Sequence, residues 1–208
     1  MRSIILPGML VSDKPEKIEN TYIENDKVYS KVIGLYDDEK RTLISLEGNW
    51  IPKVDEKVVG IITASKGNVY DVELFFFGRG LLISNKYDNM KFNVGDVISA
   101  SVKDVEDYKT VILWDAKPLR GGTIIQVKAM KTPRIVGHNN TMVDQISKYT
   151  NCSIVVGANS IVWLRGGAIA VAIEAIRKIE NEAHTTGLTE RVRMMLEDRM
   201  SKLNTIKQ

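Results

Sequence analysis

Apolar and polar positions alternate in short runs over the first 120 residues, and the spacing becomes helical after Leu119-Arg120-Gly121-Gly122. Val28–Tyr36 and Arg41–Leu46 alternate and are rich in β-branched residues, so they read as strands. Polar clusters at Glu24-Asn25-Asp26-Lys27 and Asp37-Asp38-Glu39-Lys40 read as the turns beside them. Five further strands are expected at Lys57–Ala64, Val69–Phe75, Gly80–Ser84, Val97–Glu106 and Thr110–Trp114, separated by glycine- and asparagine-bearing turns. Five short strands in about 60 residues, with no helix period between them, suit a small closed barrel of the OB type.

The last third has another grammar. Thr123–Lys128 reads as a strand; Pro133 and Gly137 then break the chain before apolar residues at 142, 143, 146 and 149. Ser153–Val156 and Ile161–Leu164 are strands around Gly157-Ala158-Asn159-Ser160. Ile169, Ala172, Ile173, Ile176, Ile179 and Ala183 form a helical stripe, and a last helix is expected from about Thr189 to Leu203. The order strand, short helix, glycine loop, helix, two strands, helix is that of the eukaryotic-type KH fold. The chain thus divides into a small N-terminal β domain over residues 1–55, an OB-type barrel over 56–120 and an α/β KH domain with an added C-terminal helix over 121–208.

Charge sharpens the reading. The whole chain of 208 residues carries only +3, but residues 1–55 are net −2, residues 56–120 are neutral and residues 121–208 are +5. The basic third is where an anionic partner is expected. Cys152 is the sole cysteine, so no internal disulfide can form, which fits a reducing compartment; its apolar setting reads as a small buried residue. The first apolar stretch is broken at Pro7-Gly8, too early for a signal peptide, and no run reaches the roughly 18 apolar residues of a membrane helix. A cytoplasmic protein without membrane contact is expected.

No catalytic constellation is legible. His138 and His184 lack partners at ligand spacing, and Asp37-Asp38-Glu39 falls in an expected hairpin turn, where a solvated acidic cluster is the simpler reading than a nuclease metal site. There is no phosphate loop and no nucleophile elbow. No cofactor is expected, and the chain reads as a non-enzyme.

The remaining motifs resemble one family. Pro7-Gly8, Gly48-Asn49-Trp50-Ile51-Pro52-Lys53-Val54 and Val94-Gly95-Asp96 are similar to its N-terminal and barrel segments. Pro133-Arg134-Ile135-Val136-Gly137, then Gly157-x-Asn159 with Val162-Trp163, then Glu182-Ala183-His184-Thr185-Thr186-Gly187 are similar to its KH segments, in order and at the family's spacing. On these residues the chain is identified as resembling the archaeal exosome RNA-binding cap subunit, with an S1-type OB barrel and a KH domain. The resemblance implies three copies capping a hexameric phosphorolytic RNase ring and guiding single-stranded RNA into its pore for degradation and processing. It also implies ring contacts through Pro7, Gly8, Trp50, Pro52, Gly157 and Asn159. A stand-alone S1/KH module acting in translation is the alternative.

Basic side chains would pair with phosphates and aromatic ones stack on bases. The barrel candidates for RNA are Lys66, Tyr70, Arg79, Lys86 and Lys103, with Phe75, Phe76 and Phe77; three successive Phe cannot share a face, so at least one, Phe76 or two of the three, belongs to the core. The KH candidates are Lys131, Arg134, Gly137, His138, Asn139, Asn140 and Arg165, with Lys128. Three departures from the family stand out, the first being Asp55-Glu56 at the barrel entry, where the family usually shows Gly-Asp. The clamp loop reads Gly137-His138-Asn139-Asn140, with asparagine in place of the second glycine of GXXG, and Ser160 replaces the glycine of G-x-N-G. Asparagine tolerates the left-handed turn but blocks close approach of a phosphate, which shifts the expected RNA grip toward the barrel.

Overall fold

The computed structural model describes residues 2–84, 91–106, 109–183, 185 and 187–206. The chain forms two compact units, residues 1–49 and 50–208. Residues 56–120 and 121–208 belong to one compact unit.

The N-terminal unit holds two three-stranded antiparallel sheets. One is ordered β1 (Arg2–Ile5), β5 (Gly34–Asp37), β6 (Thr42–Ser45); the other is β2 (Leu10–Ser12), β4 (Lys27–Ser30), β3 (Thr21–Glu24). Asn25 and Asp26 both take positive φ, 49° and 60°, as the tight turn between β3 and β4 requires. The expected single strand Val28–Tyr36 is broken in two. The Ser30 hydroxyl donates to the Val32 carbonyl at 2.6 Å and accepts its N–H at 3.1 Å. That local loop takes the backbone groups a ladder would have used. Ile5, Ile18, Val28, Tyr36 and Leu43 form the core, and burial pushes the Tyr36 phenol above its ordinary pKa.

The barrel comprises β7 (Lys57–Lys66), β8 (Val69–Glu73), β9 (Arg79–Ile83), β10 (Val97–Glu106) and β11 (Thr110–Pro118). It closes in the order β10-β11-β9-β8-β7, with β9 and β11 parallel and every other pair antiparallel. That is the order of an OB fold. Val58, Ile62, Tyr70, Val72, Leu74, Leu82, Ile98, Val102, Val111 and Leu113 fill it.

In the last third, β12 (Thr123–Gln126), β14 (Ile161–Arg165) and β13 (Ser153–Val156) form an antiparallel sheet in that order. The helices are α1 (Thr132–Val136), α2 (Thr141–Thr150), α3 (Ile169–Glu182) and α4 (Leu188–Ile206). The chain order is the one expected of the KH fold. One face of the sheet, with Val162 and Leu164, packs on the helices against Ile135, Ile146, Ala175, Ile176, Ile179, Val192 and Leu196. The other face, with Ile161, Trp163, Ile124 and Val155, packs on Val59 and Val97 of the barrel. Burial on both faces explains why Ile161–Leu164 is uniformly apolar rather than alternating.

Candidate nucleic-acid interface

On the barrel, alternation along β8 turns Val69 and Asp71 outward and Tyr70 and Val72 inward. Tyr70 is therefore only 4% exposed, with its ring edge-on to Phe92 at 5.5 Å, and the structure corrects its assignment to RNA stacking. Lys66, at the end of β7, and Lys103, on β10, are exposed. Arg79 opens β9 and is exposed, but it faces Asp71 at 3.9 Å, which offsets part of its charge. Lys86 lies outside the described residues.

The three phenylalanines after β8 part company. Phe76 turns back to pack on the barrel, edge-on to Trp50 at 5.3 Å. Phe75 takes φ of 60°, a left-handed angle that a bulky residue rarely holds, and is partly exposed. Phe77 is 92% exposed. Gly78 then lies against Lys109, just before β11, where a Cβ would come within 2.2 Å of the Lys109 carbonyl oxygen, and the Arg79 N–H donates to that carbonyl at 2.7 Å. The backbone of exposed Lys109 is thus tied to the start of β9 beside the phenylalanines. Lys109 had no sequence signal beyond its charge.

On the KH side, α1 starts with Pro133 in its first turn, where a missing N–H costs nothing. Gly137 follows at φ 76°, and a Cβ there would come within 2.8 Å of the Met142 nitrogen. Asn139 and Asn140 both adopt left-handed angles, φ 50° and 64°, so asparagine keeps the turn as expected. His138, Asn139 and Asn140 are exposed at the tip.

The +5 of this third is unevenly distributed. Arg177, Lys178, Arg191, Arg193, Arg199 and Lys202 pair with Glu180, Glu182, Glu190, Glu197, Glu174 and Asp198 on α3 and α4. Lys178 and Arg191 hold the Glu182 carboxyl below its ordinary pKa, and Arg193 does the same to Glu190. Among the described residues no carboxylate pairs with the side chains of Lys128, Lys131 or Arg134, which lead into the loop 137–140, although the Lys128 backbone N–H donates to Glu180 Oε1 at 2.7 Å. Arg165 is exposed and donates to the Arg120 carbonyl at 3.2 Å.

The Gly157–Ser160 turn joins the KH sheet to the barrel. Asn159, 2% exposed, accepts the Val59 N–H on Oδ1 at 3.1 Å and donates through Nδ2 to the carbonyls of Val59 (2.7 Å) and Leu74 (3.0 Å). The Ala158 N–H donates to the Lys57 carbonyl at 2.7 Å. A side chain at Gly157 would meet Asn159 at 2.3 Å and the Val59 nitrogen at 2.7 Å. Gly157 and Asn159 are accordingly taken up inside the unit, which corrects their assignment as ring contacts. Trp50 is likewise half-buried on the barrel, its indole N–H donating to Glu56 at 2.8 Å, and Pro52 is half-buried beside it in sequence; Pro7 and Gly8 are exposed in the β1–β2 turn. Trp163 is a packing residue whose indole donates to the Gly121 carbonyl. Ser160 holds φ 67°, the reason glycine is natural there.

Residues 2–46, within the N-terminal unit, match the family described as the exosome RNA binding protein RRP4 N-terminal domain. The exosome complex component Rrp4 of Pyrococcus furiosus is 35% identical over 230 residues, spanning 100% of this chain and 86% of that protein. The chain belongs to the Rrp4 family of exosome components. The Rrp4 of Methanosarcina acetivorans is 35% identical as well, over 92% of this chain and 80% of its own length. A crystal structure described as that of an exosome complex RNA-binding protein superposes with a TM-score of 0.64 at 23% identity, covering 76% of this chain and 99% of its own, which shows a shared fold. Within this Rrp4 framework the chain keeps the turn at residue 140 without glycine and fills position 160 with a buried serine. No helix among the described residues is long and apolar enough to cross a membrane.

Proposed function

We propose that the chain is the non-catalytic RNA-binding component of a cytoplasmic exosome, with three copies capping a hexameric phosphorolytic RNase ring and leading single-stranded RNA into its pore. Membership of the Rrp4 family carries this reading. Two structural features support its division of labour. Among the described residues the side chains of Lys128, Lys131 and Arg134 have no carboxylate partner, and they stand ahead of an exposed loop, as backbone phosphates require. The N-terminal unit presents an apolar row instead: Ile4, Leu35 and Ile44 lie side by side across β1, β5 and β6, and Ile4 and Ile44 are exposed. Exposed Leu6, Pro7, Gly8 and Met9 follow β1 directly. Net-acidic, with apolar residues on its surface, this unit suits a protein partner better than RNA, and Pro7 and Gly8 remain its candidate ring contacts.

The test is a degradation assay on 3′-tailed RNA. The chain alone is expected to release no nucleotide, with or without phosphate and magnesium, and to raise the ring's rate on a limiting RNA concentration. Turnover by the purified chain, or a ring indifferent to its presence, would overturn the reading. An RNA-binding chain that ignores the ring would favour the stand-alone module.

A further inference from the structure

The loop after β8 is built to hold an apolar ring in water. Phe77 is 92% exposed in a loop whose neighbours are fixed: Phe76 is packed on Trp50, Phe75 holds a left-handed angle, and Gly78 is pressed against the Lys109 carbonyl. An unpartnered phenylalanine costs solubility, and a strained bulky residue beside it is a device seen where a segment must aim a side chain. The loop is also tied into the KH domain. It starts at Leu74, whose carbonyl accepts Asn159; the next residue, Ser160, meets the Thr132 hydroxyl at 3.4 Å, and Thr132 follows Lys131. Two hydrogen bonds, Asn159 to Leu74 and Thr132 to Ser160, therefore link the start of the phenylalanine loop, through the Gly157–Ser160 turn, to the segment that carries Lys131 and Arg134.

We propose that Phe77, supported by Phe75, is a base-stacking platform for single-stranded RNA at the barrel–KH junction, with Lys109 and Arg79 beside it for the phosphates and the KH cations continuing the path. The proposal rests on the RNA-binding reading and adds to it the residue that meets a base. Cations and an exposed aromatic ring together are what single strands use, because every base offers a π face and every nucleotide a phosphate. The Phe77 ring stacks on whichever base arrives, so the platform contributes affinity without sequence preference. The other occupant of an exposed phenylalanine, an apolar pocket on a protein partner, would use its hydrophobicity but not its aromaticity.

Fluorescence anisotropy of the full chain at fixed salt separates these. The probes are a labelled oligo(A) and an abasic oligomer of equal length, which keeps the phosphates and lacks the bases. Phe77→Ala is expected to weaken oligo(A) binding about tenfold, or 1.4 kcal/mol, and to leave abasic binding within about twofold. Phe77→Leu should behave like Phe77→Ala, and Phe77→Trp like the wild type. Because the side chain is outside the core, melting curves of all variants should coincide. Unchanged oligo(A) affinity in Phe77→Ala, full affinity in Phe77→Leu, or equal weakening on both probes would overturn the platform. A wild-type chain that binds neither probe would instead overturn the RNA-binding reading beneath it.

Discussion

The side-chain amide of Asn159 meets the backbone of Val59 as a neighbouring strand would, giving Nδ2 to its carbonyl and taking its N–H on Oδ1. With the further bond to Leu74, one buried residue satisfies three backbone groups of the barrel. Removing it leaves those groups dry and unpaired, and each such group costs about 1–3 kcal/mol. Asn159→Ala is expected to lower the stability of the barrel–KH unit by about 3 kcal/mol or more. Urea unfolding followed by tryptophan fluorescence, reading Trp50, Trp114 and Trp163, checks it. A change under about 1 kcal/mol would mean that water replaces the amide.

Charge at the KH loop should show in salt dependence. Replacing Lys131 and Arg134 together by glutamine is expected to weaken oligo(A) binding and to reduce the slope of log affinity against log salt by about 0.7 for each phosphate no longer neutralised. Replacing Arg193 and Arg199, which are held by Glu190, Glu197 and Glu174, should leave the slope alone. A salt titration of all variants distinguishes free from paired charge. Equal slopes in both double variants would refute that distinction.

The apolar row of the N-terminal unit makes a separable prediction. Ile44→Asp puts a carboxylate on an exposed sheet position and alters no buried residue. It should abolish co-elution with the RNase ring on size exclusion while RNA affinity stays within about twofold, since charge buried in an apolar interface is strongly disfavoured. Retained co-elution would move ring docking elsewhere on the chain.

The α3–α4 ion pairs predict a pH dependence. Lys178 and Arg191 depress the Glu182 pKa in the folded chain. A depressed carboxyl stabilises the fold above its unfolded pKa of about 4.3, and that contribution disappears as pH falls through the lower folded value. Glu182→Gln should therefore lower Tm at neutral pH, and the gap from wild type should close in acid. A gap that persists once the carboxyl is protonated would point to packing.

The sequence carried most of the architecture. Periodicity located all five barrel strands and the KH elements, because a two-residue or 3.6-residue repeat of burial survives in the residue types. It missed the break inside Val28–Tyr36, which depends on one serine hydroxyl bonding to its own strand. The site was less legible. Tyr70 looked like a stacking ring until its register on β8 turned it inward, and Gly157 and Asn159 looked like surface motif residues until the barrel covered them. A polar residue close to glycine inside an apolar run was the available hint that Asn159 is buried and fully bonded. Nothing local separated the cations of residues 128–134, whose side chains have no carboxylate partner among the described residues, from the paired ones of α3 and α4, because pairing across helices is a tertiary fact.

The central claim is assembly on the ring with RNA as the shared ligand. Native mass spectrometry of the chain mixed with the hexameric RNase ring, with and without oligo(A), tests it most directly. Three chains per hexamer and one retained RNA are expected. A ring that gains no chain at saturating concentration, while the chain alone still shifts in mass with oligo(A), would contradict it.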